Sequence, residues 1–169
     1  RIHAGNLRIE LAEFDVALAL RDLIAGLTPT FDSKHQTVRS EIAGGPIWLT
    51  GDKDRIEQVV SNLLSNASKY SPDGSEVTIR AKLIGDALQI SVRDRGIGIA
   101  SGDVYRVFEP FFRADNSGTM KESGNGLGLF ITRSIVELHG GLVEIESAPD
   151  RSEERRVGKE CRSRWSPYQ

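Results

Sequence analysis

KDRIEQVVSNLLSNASKY, residues 53–70, is the stretch on which the fold turns. Ile56, Val59, Val60, Leu63, Leu64 and Ala67 recur at steps of three and four and make one apolar stripe, which predicts an amphipathic helix from about Lys53 to Tyr70 seated on a core. Asp54 and Glu57 stand at capping-box spacing near its start, and Ser71-Pro72-Asp73-Gly74 ends it. Beside the stripe, Asn62, Asn66 and Lys69 fall within roughly 60° of arc at about 100° per residue, a polar ridge at the edge of the core. An amide oxygen is a hard, neutral ligand that suits Mg2+ without cancelling the metal's charge on phosphates, and a lysine nearby can meet a phosphate oxygen as a point charge. Standing alone, the ridge reads better as a solvated helix face.

Outward from this helix, Glu76–Ile84 and Ala87–Asp94 are β-rich runs around Gly85-Asp86 and predict a hairpin. A helix over Leu127–His139, closed by Gly140 and Gly141, leads into a strand at Leu142–Glu146. On the other side, Leu7, Ile9 and Leu11 alternate and predict a strand over Leu7–Phe14, after which Asp15 caps a helix reaching about His35, with a break or kink at Pro29. Thr37–Ile42 and Ile47–Thr50, joined by Ala43-Gly44-Gly45-Pro46, read as a second hairpin. Strands that pair as hairpins favour an antiparallel or mixed sheet with helices on one face over a doubly wound parallel sheet.

The chain has 169 residues, room for one domain with a real core plus remnants. A net charge of −2 gives no electrostatic footprint for nucleic acid or an acidic membrane. The lone Cys161 supplies neither an internal disulfide nor a zinc cluster, so an intracellular chain is expected. No run approaches the roughly 18 apolar residues of a membrane span, and Arg1–Glu10 lacks the apolar stretch of a signal peptide, so no membrane contact is expected of this piece.

Three further constellations carry possible chemistry. Asp94-Arg95-Gly96-Ile97-Gly98 follows a strand, where a carboxylate can accept the exocyclic amine of adenine while glycines let the base approach the backbone; by itself it is better read as an ordinary turn. Gly124-Asn125-Gly126-Leu127-Gly128-Leu129 opens a helix, so its N–H groups and positive dipole end could face a phosphate chain, or it is a plain hinge. Between them, Phe108-Glu109-Pro110-Phe111-Phe112-Arg113 precedes a polar stretch from Ala114 to Ser123, read as a lid or a disordered loop.

In order and spacing, SNLLSNASKYS, DRGIGI, VFEPFFRAD and GNGLGL resemble the N box, first glycine box, F box and second glycine box of sensor histidine kinases, a branch of the gyrase/chaperone/kinase/mismatch-repair ATPase superfamily. The resemblance covers roughly Leu7 to Pro149. It implies a Bergerat-type α/β fold, a two-layer sandwich with a mixed, mostly antiparallel sheet, and a catalytic ATP-binding domain over residues 7–150 preceded by a remnant of a dimerisation helix at 1–6. It further implies Asn66 as Mg2+ ligand, Asn62 supporting metal and phosphates, Lys69 on phosphate, Tyr70 against the nucleotide and Asp94 on the adenine amine. Gly96 and Gly98 would shape the base pocket, Arg113 would reach the γ-phosphate, and Gly124, Gly126 and Gly128 would cradle the phosphates.

The function so implied is a cytoplasmic protein histidine kinase that passes the γ-phosphate of ATP to a histidine on a dimerisation domain, for relay to a response regulator aspartate. Neither acceptor nor base is found in this sequence: His3 lacks the family's phosphoacceptor context and His139, at a helix end, reads as structural. Gyrase-type hydrolases carry a glutamate base four residues before the metal-binding asparagine, and Asn62 holds that place here; an amide cannot take a proton from water at neutral pH, which favours phosphotransfer over hydrolysis. A nucleotide-binding regulatory module without activity and an anti-sigma-type serine kinase of the same superfamily are the alternatives.

The chain departs from the family after Asp150. RSEERRVGKECRSRWSPYQ, residues 151–169, replaces the expected Gly-x-Gly-Thr/Ser-x-Phe box and last strand, and resembles read-through appended to a truncated gene. It is expected to be irregular, leaving Leu142–Glu146 as an uncovered sheet edge.

Overall fold

The computed structural model describes residues 8–113, 124–147 and 160–165. The chain order is β1 (Ala12–Asp15), α1 (Val16–Asp32), β2 (Thr37–Ile42), β3 (Trp48–Gly51), α2 (Lys53–Tyr70), β4 (Glu76–Ile84), β5 (Ala87–Arg93), a 3-10 turn at Arg106–Phe108, α3 (Gly128–Leu138), β6 (Leu142–Glu146) and β7 (Glu160–Trp165). Five strands form a mixed sheet in the order β2-β4-β5-β7-β6, and β1 pairs antiparallel with β3 in a separate ribbon. The three helices lie on one face of the large sheet, so the architecture is the expected two-layer α/β sandwich.

The predicted stripe of α2 is the middle of the core. Ile56, Val59, Val60, Leu63, Leu64 and Ala67 are buried against Val77, Ile79 and Ala81 of β4 and Leu88, Ile90 and Val92 of β5. Truncating a fully buried leucine such as Leu64 to alanine costs about 2–5 kcal/mol, because the removed methyls lose their burial and leave a cavity.

Both long helices start on an aspartate. Asp15 accepts from the N–H groups of Ala17 (3.0 Å) and Leu18 (3.4 Å), as expected of its cap, and also from Ile47 (2.9 Å), which ties α1 to the approach of β3. The Ile47 bond is the main reason its carboxyl lies below the ordinary value of 3.8, burial pulling the other way. The cap of α2 is Asp52, accepting from Arg55 N–H at 3.1 Å, and not Asp54, which lies within the first turn. His139 closes α3 and joins it to this cap: Nδ1 lies 2.8 Å from the Ile135 carbonyl and Nε2 accepts from Asp52 N–H at 3.0 Å.

Four sequence expectations need correction. The first strand is shorter and later than Leu7–Phe14, beginning at Ala12, because its partner β3 spans only four residues. Thr37–Ile42 and the following strand do not form a hairpin: β2 pairs in parallel with β4, from Thr37 opposite Glu76, and β3 pairs with β1. Parallel neighbours need a crossover, and α2 supplies it. Helix α1 runs through Pro29 without a break and ends at Asp32, short of His35; its last turn is anchored by buried Phe31 and closed by Ser33 N–H on the Pro29 carbonyl.

The fourth concerns the ending. Glu160–Trp165 is a strand, antiparallel to β5 on one side and β6 on the other, with Cys161 in register with both Val92 and Ile145. The sheet therefore has a closing strand, although β6 is still at its edge. The alternation was present in Glu160-Cys161-Arg162-Ser163-Arg164-Trp165, charged at every other position, but was hidden by the basic composition around it. Residues 1–6 and the 114–123 lid lie outside the described residues. Among the described residues, no helix is long and apolar enough to cross a membrane.

Candidate functional site

The last three turns of α2 bring the polar ridge to one end of the helix layer. Asn62, Asn66, Lys69 and Tyr70 line a cavity of about 220 Å³ together with Gly98, Arg113, Gly124, Gly126 and Gly128. Four segments separated in sequence thus meet at one place and share a wall. Apolar Ile97, Ile99, Val107, Phe112 and Leu129 complete it, a mixture suited to a flat apolar ring with a polar, anionic extension.

Asp94 and Gly96 do not line this cavity. Asp94 is 4% exposed and lies behind the wall, beside a small void that shares Asn66 and Leu129 with the main cavity. Its Oδ1 accepts from Gly96 N–H at 2.8 Å, so the carboxylate shapes its own loop. A Cβ on Gly96 would lie 2.5 Å from the Tyr70 carbonyl oxygen, and Ile97 N–H donates to that same carbonyl at 3.2 Å. Glycine is required here so that the loop can rest on the end of α2.

The opposite wall is built from a second close approach. Gly126 has φ +68, and a Cβ there would lie 2.8 Å from backbone atoms of Phe111 and Phe112, while Phe111 N–H donates to the Gly126 carbonyl at 3.0 Å. Phe111 is itself left-handed, at φ +65. Arg113 Nη1 donates to the Gly124 carbonyl at 3.3 Å, so the arginine and the glycine segment join in one stretch of the cavity wall. At Gly128 a Cβ would collide with Asn62 Oδ1, which seats the start of α3 directly on the ridge of α2. The start of α3, whose first N–H groups have no intrahelical acceptors, contributes Gly128 and Leu129 to the wall.

One residue of the site was missed in the sequence. Thr132, almost fully buried in α3, accepts from Asn62 Nδ2 at 2.9 Å and thereby directs the amide. A hydroxyl on the inward stripe of Leu127–His139 was the available signal, since a buried polar group needs a partner. Lys69 brings its ammonium 5.3 Å from the Tyr70 ring, and with Arg113 it places two cations around the polar side of the cavity. Among the described residues there is no group of three His, Cys, Asp or Glu side chains able to hold a metal. The donors present are neutral amides, which suit a hard cation that carries its own phosphate and water ligands.

Residues 51–164 match the model of the family described as histidine kinase-, DNA gyrase B-, and HSP90-like ATPase. The chain is 35% identical over 160 residues to the sensor protein GacS of Pseudomonas syringae pv. syringae, covering 91% of this chain and 18% of that protein. It is 34% identical over 150 residues to the sensor histidine kinase RcsC of Escherichia coli K12, covering 88% and 16%. The chain therefore spans about a fifth or less of the length of these relatives. Among solved structures, the mycobacterial sensor histidine kinase MprB superposes with a TM-score of 0.78 at 24% identity, over 94% of this chain and 100% of that one. The catalytic domain of histidine kinase ThkA gives 0.79 at 23%, over 94% and 96%. These two likenesses establish the fold, of Bergerat type.

Proposed function

We propose, for a chain that belongs to the family of histidine kinase-, DNA gyrase B- and HSP90-like ATPases, that it is the catalytic ATP-binding domain of a two-component sensor histidine kinase. It would donate the γ-phosphate of Mg-ATP to a histidine on a dimerisation domain, for relay to a response regulator aspartate. The observation that carries this reading is the convergence of four segments on one cavity with an amide, Asn62, where a hydrolase needs a carboxylate base. As an ATP-consuming site it belongs in the cytoplasm, whether or not the parent protein is anchored in a membrane.

Asn66 and Asn62 would hold Mg2+ through their amide oxygens, and the metal when bound supplies neutralisation of phosphate charge. Lys69 and Arg113 would add point charges at the same oxygens, and the N–H groups at the start of α3 would cradle the phosphate chain. Tyr70, Ile97 and Gly98 would hold the base, with Asp94 accepting its amine once the ligand reaches behind the wall. Transfer of this kind is chiefly positioning and electrostatics, which is what these residues offer. Thr132 holds Asn62 Nδ2, so the amide presents oxygen and no base; water near the γ-phosphate stays unactivated and the phosphoryl group is kept for the acceptor. His139 is not that acceptor, both ring nitrogens being engaged within the fold.

Calorimetry should show Mg-AMPPNP binding that is lost in Asn66→Ala. Labelled ATP should phosphorylate an added histidine-hairpin domain of the family, and Asn62→Glu should raise ATP hydrolysis. Binding without any transfer would point instead to a regulatory module, and labelling of a serine on a partner to the anti-sigma type.

A further inference from the structure

Lys34 and Gln36 lie in the link between α1 and β2 and line no part of the cavity, yet both reach the C-terminal end of α2. The Lys34 ammonium donates to the carbonyls of Ser68 (2.7 Å) and Ser71 (3.0 Å) and, at longer range, Lys69 (3.4 Å). Gln36, 3% exposed, donates Nε2 to the carbonyls of Ser68 (3.0 Å), Pro72 (3.1 Å) and Ser71 (3.2 Å), while its Oε1 accepts from Ser68 Oγ at 2.6 Å. A helix end leaves its last carbonyls without intrahelical donors, and this one closes on Ser71 in extended conformation, with no left-handed glycine to satisfy them. The link supplies those donors, and the lysine charge also meets the negative end of the helix dipole.

What this bracket holds is functionally loaded. The same turn delivers Lys69 and Tyr70 to the cavity, and the Tyr70 carbonyl is the seat on which Gly96 and Ile97 rest. A small rotation of the turn would move a cation, a ring and the loop behind the ring together. Simple attachment of α2 to the sheet does not need this arrangement, because the buried stripe already provides it. We infer that Lys34 and Gln36 are positioning residues for the nucleotide site, fixing the last turn of α2 so that Lys69, Tyr70 and the 96–98 loop meet the ligand in register. The inference rests on reading the cavity as a nucleotide site.

The test compares Lys34→Met and Gln36→Leu with Lys34→Arg, which keeps the cation, and with Leu20→Ala, a core truncation in α1 away from the cavity. Melting temperature is measured for each, and affinities for Mg-AMPPNP and for adenosine are taken well below the lowest transition. Lys34→Met and Gln36→Leu should each weaken both ligands by about tenfold, while Lys34→Arg stays within about threefold of the parent. Leu20→Ala should lower the melting temperature at least as much and leave both affinities within about twofold. Parent-like affinities in Lys34→Met and Gln36→Leu would overturn the inference, as would equal weakening in Leu20→Ala, which would reduce the bracket to general stability. Should Gln36→Leu fail to fold, Lys34→Met against Lys34→Arg decides alone. A parent chain that binds neither ligand would overturn the nucleotide reading itself, a distinct result.

Discussion

The two ends of the cavity are held in different ways. At the Asp94 end, a buried carboxylate, a glycine packed on a carbonyl and a helix terminus satisfied by Lys34 and Gln36 lock together behind the core. At the Arg113 end, the wall is a pair of loops clasped at Phe111 and Gly126, both left-handed, with Phe111 exposed to solvent. The difference fits a division of labour: the locked end suits a ligand part that never changes, the base, and the clasped end suits phosphates whose number and charge change during a reaction.

Gly96→Ala should have the largest effect. The added methyl meets Tyr70 backbone and the Asp94 carboxylate with nothing flexible to yield, so binding of both adenosine and Mg-AMPPNP should fall by about a hundredfold or more, measured by calorimetry. Loss of Mg-AMPPNP alone would break the assignment of the base to this end. Gly128→Ala drives a methyl into Asn62 Oδ1, and should weaken Mg-AMPPNP by about tenfold while leaving adenosine nearly unchanged. Equal losses for the two ligands would blur the contrast between the ends.

Arg113→Ala should lower the rate of phosphotransfer to an added acceptor domain by about tenfold with AMPPNP affinity changed only about twofold, because an exposed side chain hydrogen-bonded to a loop carbonyl contributes little to ground-state binding. Asp15, outside both ends, supplies the control and the smallest effect. Its carboxyl is held below the ordinary 3.8, first by Ile47 N–H, so its charged form adds stability that is complete above that value and is lost as the pH falls through the lowered one. Asp15→Asn should therefore melt lower than the parent near neutral pH, by a margin that shrinks as the pH is taken below about 4, with nucleotide affinity unmoved.

Much of this was legible in the sequence, and the failures share a cause. The stripe of α2, the cap at Asp15 and the β4–β5 hairpin are local patterns, and each recurs as predicted. The convergence of Asn62, Asn66, Lys69 and the glycine segments followed from motif order. Partner choice is not local: nothing in Thr37–Ile42 says that it lies beside Glu76–Ile84 and not beside the strand after the turn. The same holds for Glu160–Trp165, whose alternation needed β5 and β6 on either side to become visible as a strand. Thr132, and the reach of Lys34 and Gln36 to a helix end in the next unit of the chain, are likewise relations between elements.

The crossover of α2 between parallel β2 and β4 ties the ligand site to a non-local strand pair. Closing that pair brings together strands with β3 and α2 between them in the chain, which costs more loop-closure entropy than a hairpin does. The helix that carries the ridge shares its buried stripe with the core, so its opening is coupled to that of the sheet. A ligand held by Asn66 and Lys69 acts on the global opening equilibrium, adding about 2.7 kcal/mol at a hundred times its dissociation constant. Slowed hydrogen exchange should then spread to the amides of β4, which line no part of the cavity.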